Sequence, residues 1–285
     1  MSTPPSTASV QTATSRHAVS PRALLASAWR YRALIVQMAR RDVVGRYRGS
    51  FVGLLWSFFN PLLMLAIYTF VFGVIFNSHW SKKDVGHFGF AVILFAGLNI
   101  NSLFAECANR ASTLVIENAN FVKKVVFPLD TLAWSTVGSA LFHLFVSTIV
   151  LLLFLLIVQG SVPWTVVLFP VVTAAFLPFV LGTIWLISAL GVFLRDLKQV
   201  MGIVTAALMF LAPIFYPLAL IPPGYRRWVY LNPLTVIVEA SRDVLVWGTL
   251  PDWWQLGVYA ALGCLFAWAA FAWFELARRG FADVL

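Results

Sequence analysis

The chain has 285 residues, of which 61% are hydrophobic and only 11% are charged, and its formal net charge is +9. This composition excludes an ordinary soluble domain. The length leaves room for one membrane domain without a separate soluble one. The basic residues lie at the ends of apolar segments, so they indicate membrane topology and lipid-headgroup contacts rather than a nucleic-acid surface. Cys107 and Cys264 fall within or beside apolar runs, which argues against a disulfide scaffold or a metal centre.

The N-terminal region is predicted to have two parts. Residues 1–21 are rich in Ser, Thr, Pro and Ala and have no apolar core like that of a signal peptide, so we expect a disordered tail. Residues 22–48 hold seven arginines and an apolar stripe at helical spacing. This pattern predicts an amphipathic helix in the membrane interface, or else a solvated helix that docks on a partner. The stripe consists of Leu24, Ala28, Tyr31, Ile35 and Met38.

Residues 49–285 are predicted to form an all-α membrane domain with six transmembrane helices. A bilayer core of about 30 Å needs roughly 20 apolar residues of helix. The predicted spans are Phe51–Phe76, a second from about Phe88 to Arg110, Leu132–Val158, Trp164–Leu194, Val200–Tyr216 and Trp253–Phe274. We expect the fourth to be kinked or tilted because it is long and contains Pro170 and Pro178. The polar stretch Ser112–Asp130 is assigned to the cytoplasm.

The segment 218–252 is too charged to cross a membrane and too apolar for a free loop. We therefore predict two short re-entrant helices with Asn232-Pro233 between them. Two alternatives would move the C-terminus to the outside: a true crossing by Leu218–Trp247, or two half-spans within Trp164–Leu194. The charge distribution favours six spans with both termini in the cytoplasm. In that topology the inner segments hold Arg16 to Arg48, Lys123, Lys124, Arg195, Lys198, Arg278 and Arg279.

The sequence offers little catalytic chemistry. No lysine follows a glycine, so no Walker A loop is present and the chain has no site for ATP of that kind. We expect no metal site, no cofactor in this chain and no enzymatic activity. Glu106 and Arg110, four residues apart, are predicted to form a structural ion pair, and His143 is predicted to be a hydrogen-bonded packing residue. Four other carboxylates are predicted to lie at helix boundaries, where capping and topology explain their presence: Asp42, Asp130, Asp196 and Asp252.

Aromatic residues make up 15% of the chain. Aromatic rings stack on the CH-rich faces of sugars, so a lined conduit could pass a polysaccharide through many weak contacts. Alternatively, the Trp and Tyr side chains form belts at the membrane interfaces and the Phe side chains face lipid. The candidate lining residues are Trp56, Phe59, Tyr68, Phe210, Phe215 and Tyr216.

Several motifs, in order, resemble those of a known family. They are Arg46-Tyr47-Arg48-Gly49-Ser50 with Asn60-Pro61-Leu62, Glu117-Asn118-Ala119-Asn120 with Phe127-Pro128-Leu129, Phe193-Leu194-Arg195-Asp196, Ala212–Pro217 and Leu231-Asn232-Pro233-Leu234. Together they resemble the membrane subunit of bacterial polysaccharide ABC exporters, which handle O-antigen, capsule and teichoic-acid chains. The resemblance covers roughly residues 30–245.

The resemblance implies a homodimer in the bacterial inner membrane. Each protomer would dock one separate ATPase subunit that binds ATP and Mg²⁺, and the substrate would be a glycan on a lipid (pyro)phosphate carrier. It also implies that the segment Leu114–Val126 couples to the ATPase. A drug- or lipid-exporting permease is the nearest alternative, and a multispan glycan-synthesis enzyme is a more distant one.

Three sets of candidate site residues follow. Guanidinium forks at headgroup depth would bind the lipid (pyro)phosphate through Arg46, Tyr47 and Arg48. The coupling segment would contact the ATPase through Glu117, Asn118, Asn120, Lys123 and Lys124. The outer gate would be formed by Tyr225, Arg226, Asn232, Pro233, Glu239 and Arg242.

Overall fold

A computed structural model describes residues 21–76, 86–122 and 127–284, and every regular element in these ranges is helical. The predicted tail (apart from Pro21), the loop 77–85 and the pair Lys123-Lys124 lie outside the described residues. The α-helices are α1 (Pro21–Arg30), α2 (Arg32–Tyr47), α3 (Trp56–Tyr68), α4 (Gly86–Glu117), α5 (Ala119–Val122), α6 (Thr131–Gln159), α7 (Phe169–Phe193), α8 (Leu197–Leu211), α9 (Pro223–Tyr230), α10 (Pro233–Arg242), α11 (Trp253–Ala277) and α12 (Phe281–Val284).

Shorter helical turns extend several of these helices. A 3₁₀ turn precedes α3, and π-helical turns follow α3 and α10. The 3₁₀ segments are Gly53–Leu55, Trp164–Leu168, Leu218–Leu220 and Arg278–Gly280, and the π segments are Thr69–Ile75 and Asp243–Trp247.

Five helical segments within the described residues are long and apolar enough to cross a membrane. They are Gly53–Ile75, Gly89–Glu117, Thr131–Gln159, Trp164–Phe193 and Trp253–Gly280. They correspond to predicted spans one to four and six. The fourth is continuous from Phe169 to Phe193, so it is not divided into two half-spans.

The predicted fifth span, Val200–Tyr216, differs from the structure. Helix α8 has 15 residues, which corresponds to about 22 Å and is shorter than the hydrocarbon core. It ends at Leu211 because Pro213 disfavours helical backbone at the residue before it, and Ala212 is extended with ψ of 150°. The total of six spans therefore stays a prediction.

Helix α4 is the central element of the bundle. In its most apolar stretch 83% of the residues are buried, against 11% in Gly53–Ile75. It packs against α6, α7, α8 and α10, whereas α3 lies at the periphery. Ser112, Leu114 and Val115, at the start of the predicted polar segment, are buried in the last turns of α4, so this helix extends past the predicted end of the second span. The cytoplasmic location of the segment stays a prediction.

Helix α7 approaches its two neighbours closely at glycines. A Cβ on Gly191 would lie 2.2 Å from the carbonyl oxygen of Ser112 on α4. A Cβ on Gly182 would lie 2.7 Å from the ring of Phe266 on α11. Any larger residue at Gly191 would force α4 and α7 apart, because the obstructing atom is backbone.

The N-terminal region forms two helices where one was predicted over residues 22–48. The boundary is Tyr31, whose ψ of 17° departs from helical geometry. The hydrogen bonds from Tyr31 N to Ser27 O and from Ile35 N to Tyr31 O persist on either side, so the break is a local bend. Met38 of the predicted stripe is buried, and α2 packs along α6. Met38 thus packs within the same chain, which neither of the two sequence interpretations included.

The residues Leu218–Trp247, which we call the outer segment after their predicted location, contain the short helices α9 and α10, and the predicted break at Asn232-Pro233 lies between these two helices. The Asn232 side chain accepts a hydrogen bond from Leu234 N and donates one to Leu208 O, and Pro233 begins α10. These are ordinary signals of a helix N-terminus. No described helix within Leu218–Trp247 is long enough to cross a membrane. Re-entry into the membrane stays a prediction.

Candidate functional site

The chain reverses sharply between α2 and α3 to form what we call the elbow, residues 46–56. Gly49 and Gly53 have positive φ values of 87° and 58°, which disfavour residues with a Cβ. Arg48 lies at the end of α2 with extended backbone and is exposed. The elbow therefore presents an exposed guanidinium beside the first span.

Arg46 is held by two other helices. Its Nη2 lies 2.6 Å from Oε1 of Glu106 on α4, and His143 Nδ1 on α6 lies 3.0 Å from Oε2 of the same carboxylate. The predicted pair between Glu106 and Arg110 is therefore wrong. Helix α2 packs along α6, and its side chains reach α4, where they offer each of the two residues an opposite charge. The partners of Glu106 and Arg110 are remote along the chain, so no local sequence signal identified these pairs.

Arg110 pairs with Asp42 at 2.6 Å and also donates to Ser139 Oγ at 3.4 Å. Asp42 lies inside α2, so its assignment to a helix boundary is wrong. Asp252 does cap a helix, since it accepts hydrogen bonds from Trp254 N and Gln255 N at the start of α11. The contacts of Arg110 thus join α4 to α2 through an ion pair and to α6 through a hydroxyl group.

A cavity of about 290 Å³ lies beside this cluster, between α3, α4 and α6. Its lining includes Arg46, Tyr47 and Glu106, and also Asn60 and Tyr68 from the first span. Burial raises the pKa of Tyr47, and Glu106 adds to this effect while Arg46 opposes it. The Tyr47 phenol is therefore a neutral hydrogen-bonding group at physiological pH.

The candidate aromatic residues divide into two groups. Trp56 and Phe59 are each 42% exposed on α3, and Tyr68 lines the cavity. At the end of α8, the rings of Phe210 and Phe215 stack with centroids 5.3 Å apart. The Tyr216 hydroxyl donates to Leu211 O at 3.0 Å, which folds the chain after α8 back on the helix end.

The candidate coupling segment is only partly described. Glu117 ends α4 and accepts a hydrogen bond from Thr113, while Asn118 donates to Leu114 O and is thereby a local cap. Asn120 is exposed on the short helix α5. Lys123 and Lys124 lie outside the described residues. Beyond them, Arg278 donates to Phe127 O at 3.0 Å and ties the end of the last long helix to this segment.

The outer segment is joined to the core by one buried arginine. Arg242 is only 1% exposed, and its guanidinium and Nε donate to the carbonyl oxygens of Ile93, Pro213 and Ile214. It also binds Glu239 at 2.6 Å. A lone arginine among apolar residues of α10 was the sequence signal for a buried polar network.

The other candidate gate residues are more exposed. Tyr225 is 67% exposed, and Arg226 donates to the carbonyl oxygens of Ile221 and Ala219 within its own segment. Helix α9 has no buried residue, whereas most of α10 is buried against the core. The outer segment thus has an exposed half and an anchored half.

Comparison with known proteins identifies the family. Residues 33–246 match the model of the ABC-2 type transporter family. The chain belongs to the ABC-2 transporters. The match runs from α2 to the π-helical turn after α10, so it contains both the elbow and the outer segment of this ABC-2 protein. Helix α11 lies beyond it.

Individual relatives cover almost the whole chain. The O-antigen export system permease protein RfbA of Myxococcus xanthus is 31% identical over 263 residues, which span 91% of this chain and 98% of the relative. A protein of the same name from Klebsiella pneumoniae is 28% identical over 88% of this chain and 95% of its own length. The polysialic acid transport protein KpsM of Escherichia coli is 28% identical over 74% of this chain and 81% of its own length.

Proposed function

We propose that this ABC-2 transporter is the membrane subunit of an ATP-driven exporter that moves a lipid-linked polysaccharide out of the cytoplasm. The similarity to an O-antigen export permease over 98% of that protein's length carries the proposal. The polar cavity beside an otherwise apolar span supports it, because a hydroxyl-rich substrate needs hydrogen-bonding groups within the membrane domain.

Deletion of the gene tests this function. We expect the surface polysaccharide to disappear while lipid-linked glycan accumulates in the cytoplasmic leaflet, and a plasmid copy to restore export. Unchanged surface glycan in the deletion strain would contradict the proposal. Lipid analysis of the same strain separates a glycan exporter from a drug exporter, since only the former leaves glycan on its carrier.

The proposed assembly is a homodimer in the inner membrane with two ATPase subunits, which supply the ATP and Mg²⁺ sites. The exposed face of α3, with Trp56 and Phe59, would meet the partner protomer and, with Phe210, Phe215 and Tyr216, line the glycan conduit. Native mass spectrometry of the purified complex should give two permease and two ATPase chains. A complex with one permease chain would contradict the homodimer.

The proposed coupling site is the segment Leu114–Val126. Since Leu114 and Val115 are buried, we expect the ATPase to contact the exposed residues Glu117 and Asn120 and the adjoining Lys123 and Lys124. Cysteines placed at these positions should crosslink to the purified ATPase, whereas a cysteine at buried Ala111 should not. An intact complex that gives no crosslink would refute this site.

The lipid (pyro)phosphate is proposed to bind at the elbow. The guanidinium of Arg48 would bind the phosphate oxygens, with Tyr47 beside it, while Arg46 positions α2 through its ion pair with Glu106. Arg48→Lys keeps the positive charge but loses bidentate geometry, so export should fall in both Arg48→Lys and Arg48→Ala strains. Arg40→Lys, on the exposed surface of α2, is the matched control. Wild-type surface glycan in both Arg48 strains at equal protein levels would exclude this role.

The outer segment is proposed to be a re-entrant gate on the periplasmic side, with both termini of the chain in the cytoplasm. Cysteines at Arg226 and Trp247 should react with a membrane-impermeant thiol reagent from outside only. Labelling of the Trp247 position from the cytoplasm would show that the segment crosses the membrane.

A further inference from the structure

Three residues that line the cavity between α3, α4 and α6 carry buried polar atoms without partners. Asn99 Nδ2, Asn101 Oδ1 and His143 Nε2 have no hydrogen-bond partner, and they are three of seven such side-chain atoms in residues 21–76, 86–122 and 127–284. All three residues line the cavity. Asn99 and Asn101 lie on the central helix α4 and are only 4% and 7% exposed.

Unpaired buried polar atoms destabilise the folded state, and native proteins leave few of them. The cavity volume of about 290 Å³ is many times the space that one water molecule needs. That space is larger than three orphan atoms need for bridging waters. The arrangement therefore fits a site that is completed by a larger polar ligand.

The charges at the cavity favour an uncharged ligand. Its one guanidinium, Arg46, is paired at 2.6 Å with Glu106, and the same carboxylate contacts His143. A phosphate would have to compete with Glu106 for Arg46. The remaining polar lining consists of amides and hydroxyls, which offer both donors and acceptors and so match the hydroxyl groups of a sugar.

The cavity is also accessible from the exposed side of the first span. Asn60, Met64 and Ser102 line it and are themselves exposed. The aromatic ring of Tyr68, also in the lining, offers a face on which a sugar ring can stack. A chain at the surface of α3 could insert one unit here without separating the helices.

We propose that this cavity binds one uncharged sugar unit of the transported chain inside each protomer, with Asn99, Asn101 and His143 as hydrogen-bonding groups. The site lies inside one protomer and opens at α3, beside the proposed conduit between protomers. It rests on the proposed function, since it takes the substrate to be a polysaccharide, and it adds a point at which the chain is held within the protomer.

The decisive variant is Asn101→Leu in the full permease–ATPase complex. It replaces an amide whose buried Oδ1 has no partner with an apolar group of similar size, so the thermal stability should hold or rise. Affinity for the lipid-free surface polysaccharide of the host cell, released by mild acid, should fall at least tenfold. Binding of polyprenyl phosphate should not change. Asn109→Leu is the control, because Asn109 is on the same helix but binds Thr205 and does not line the cavity.

A second measurement uses Ser102→Cys in a Cys264→Ser background, which leaves Cys107 as the buried native thiol. Polysaccharide should protect the new thiol from a maleimide, and polyprenyl phosphate should not. Protection by polyprenyl phosphate alone would overturn the proposal and assign the cavity to the lipid carrier. Equal polysaccharide affinity of wild type and Asn101→Leu would overturn it in favour of a water-filled cavity. If deletion of the gene abolishes export while these tests fail, only this inference falls and the proposed function stands.

Discussion

The elbow and the outer segment are both joined to α4 by arginines, but the two attachments differ in kind. At the elbow, Arg46 and Glu106 keep side-chain exposures of 43% and 17%, and both partners are charged side chains. In the outer segment, Arg242 is 1% exposed and donates mainly to backbone carbonyl oxygens. One attachment can exchange its partners with water or ligand, and the other cannot.

This difference has a physical consequence. Exposed ion pairs contribute little to stability, because water screens them and the side chains lose entropy. A buried guanidinium must be fully hydrogen-bonded, and removal of one side of such a network is costly. We therefore expect α10 to move with α4 as one body, while α2 can shift relative to α4 at a small free-energy cost.

The largest expected effect is that of Arg242→Ala. It leaves Glu239 and three carbonyl oxygens without their donor, so the free energy of unfolding should fall by about 3–5 kcal/mol. Arg242→Lys should recover only part of this loss, because one ammonium cannot reach all the acceptors. Thermal unfolding of the purified protein in detergent measures both effects.

Arg226→Ala is the matched control, since Arg226 is exposed and bonds only within its own segment. Its effect should be below about 1 kcal/mol. If Arg242→Ala were no more destabilising than Arg226→Ala, the outer segment would not be anchored as described.

A smaller effect is expected at the elbow from Glu106→Gln. The variant removes the charge that Arg46 and His143 share, with a cost of about 1.5 kcal/mol. Because α2 is then held less firmly, its amide hydrogens should exchange faster, while those of α10 should not change. Hydrogen-exchange mass spectrometry tests this local effect. Equal acceleration in α2 and α10 would contradict the independence of the two regions.

The helices and their breaks were predictable from the sequence, whereas contacts between distant segments were not. Apolar length located five spans, and Asn232-Pro233 located the break in the outer segment, because both signals are local. The end of α8 was predicted too far along the chain, although Pro213 disfavours helical backbone at the residue before it and so marks the true end. The extent of α4 was underestimated, since polar Ser112 packs on Gly191 of a helix far along the chain.

The candidate site shows the same limit. The basic motif Arg46 to Arg48 was found, but its division into a paired Arg46 and an exposed Arg48 depends on the tertiary contact between Arg46 and Glu106 of α4. The pairing of Glu106 with Arg110 was predicted from spacing within one helix. Tertiary packing overrode that local rule, as it often does for charges that face a second helix. The roles of the channel, coupling and gate residues stay predictions.

The smallest expected effect is the coupling between Arg110 and Asp42. It tests whether α2 is held less firmly than α10. A double-mutant cycle with Arg110→Gln and Asp42→Asn should give a coupling free energy of about 1 kcal/mol, since the arginine is 26% exposed. This coupling should weaken further at high salt, because ions reach the arginine, whereas the Arg242–Glu239 pair should respond less. A coupling above about 3 kcal/mol that is insensitive to salt would show that α2 is held as rigidly as α10. The elbow would then be a fixed part of the core, and a substrate that binds there would have to fit it without any shift of α2.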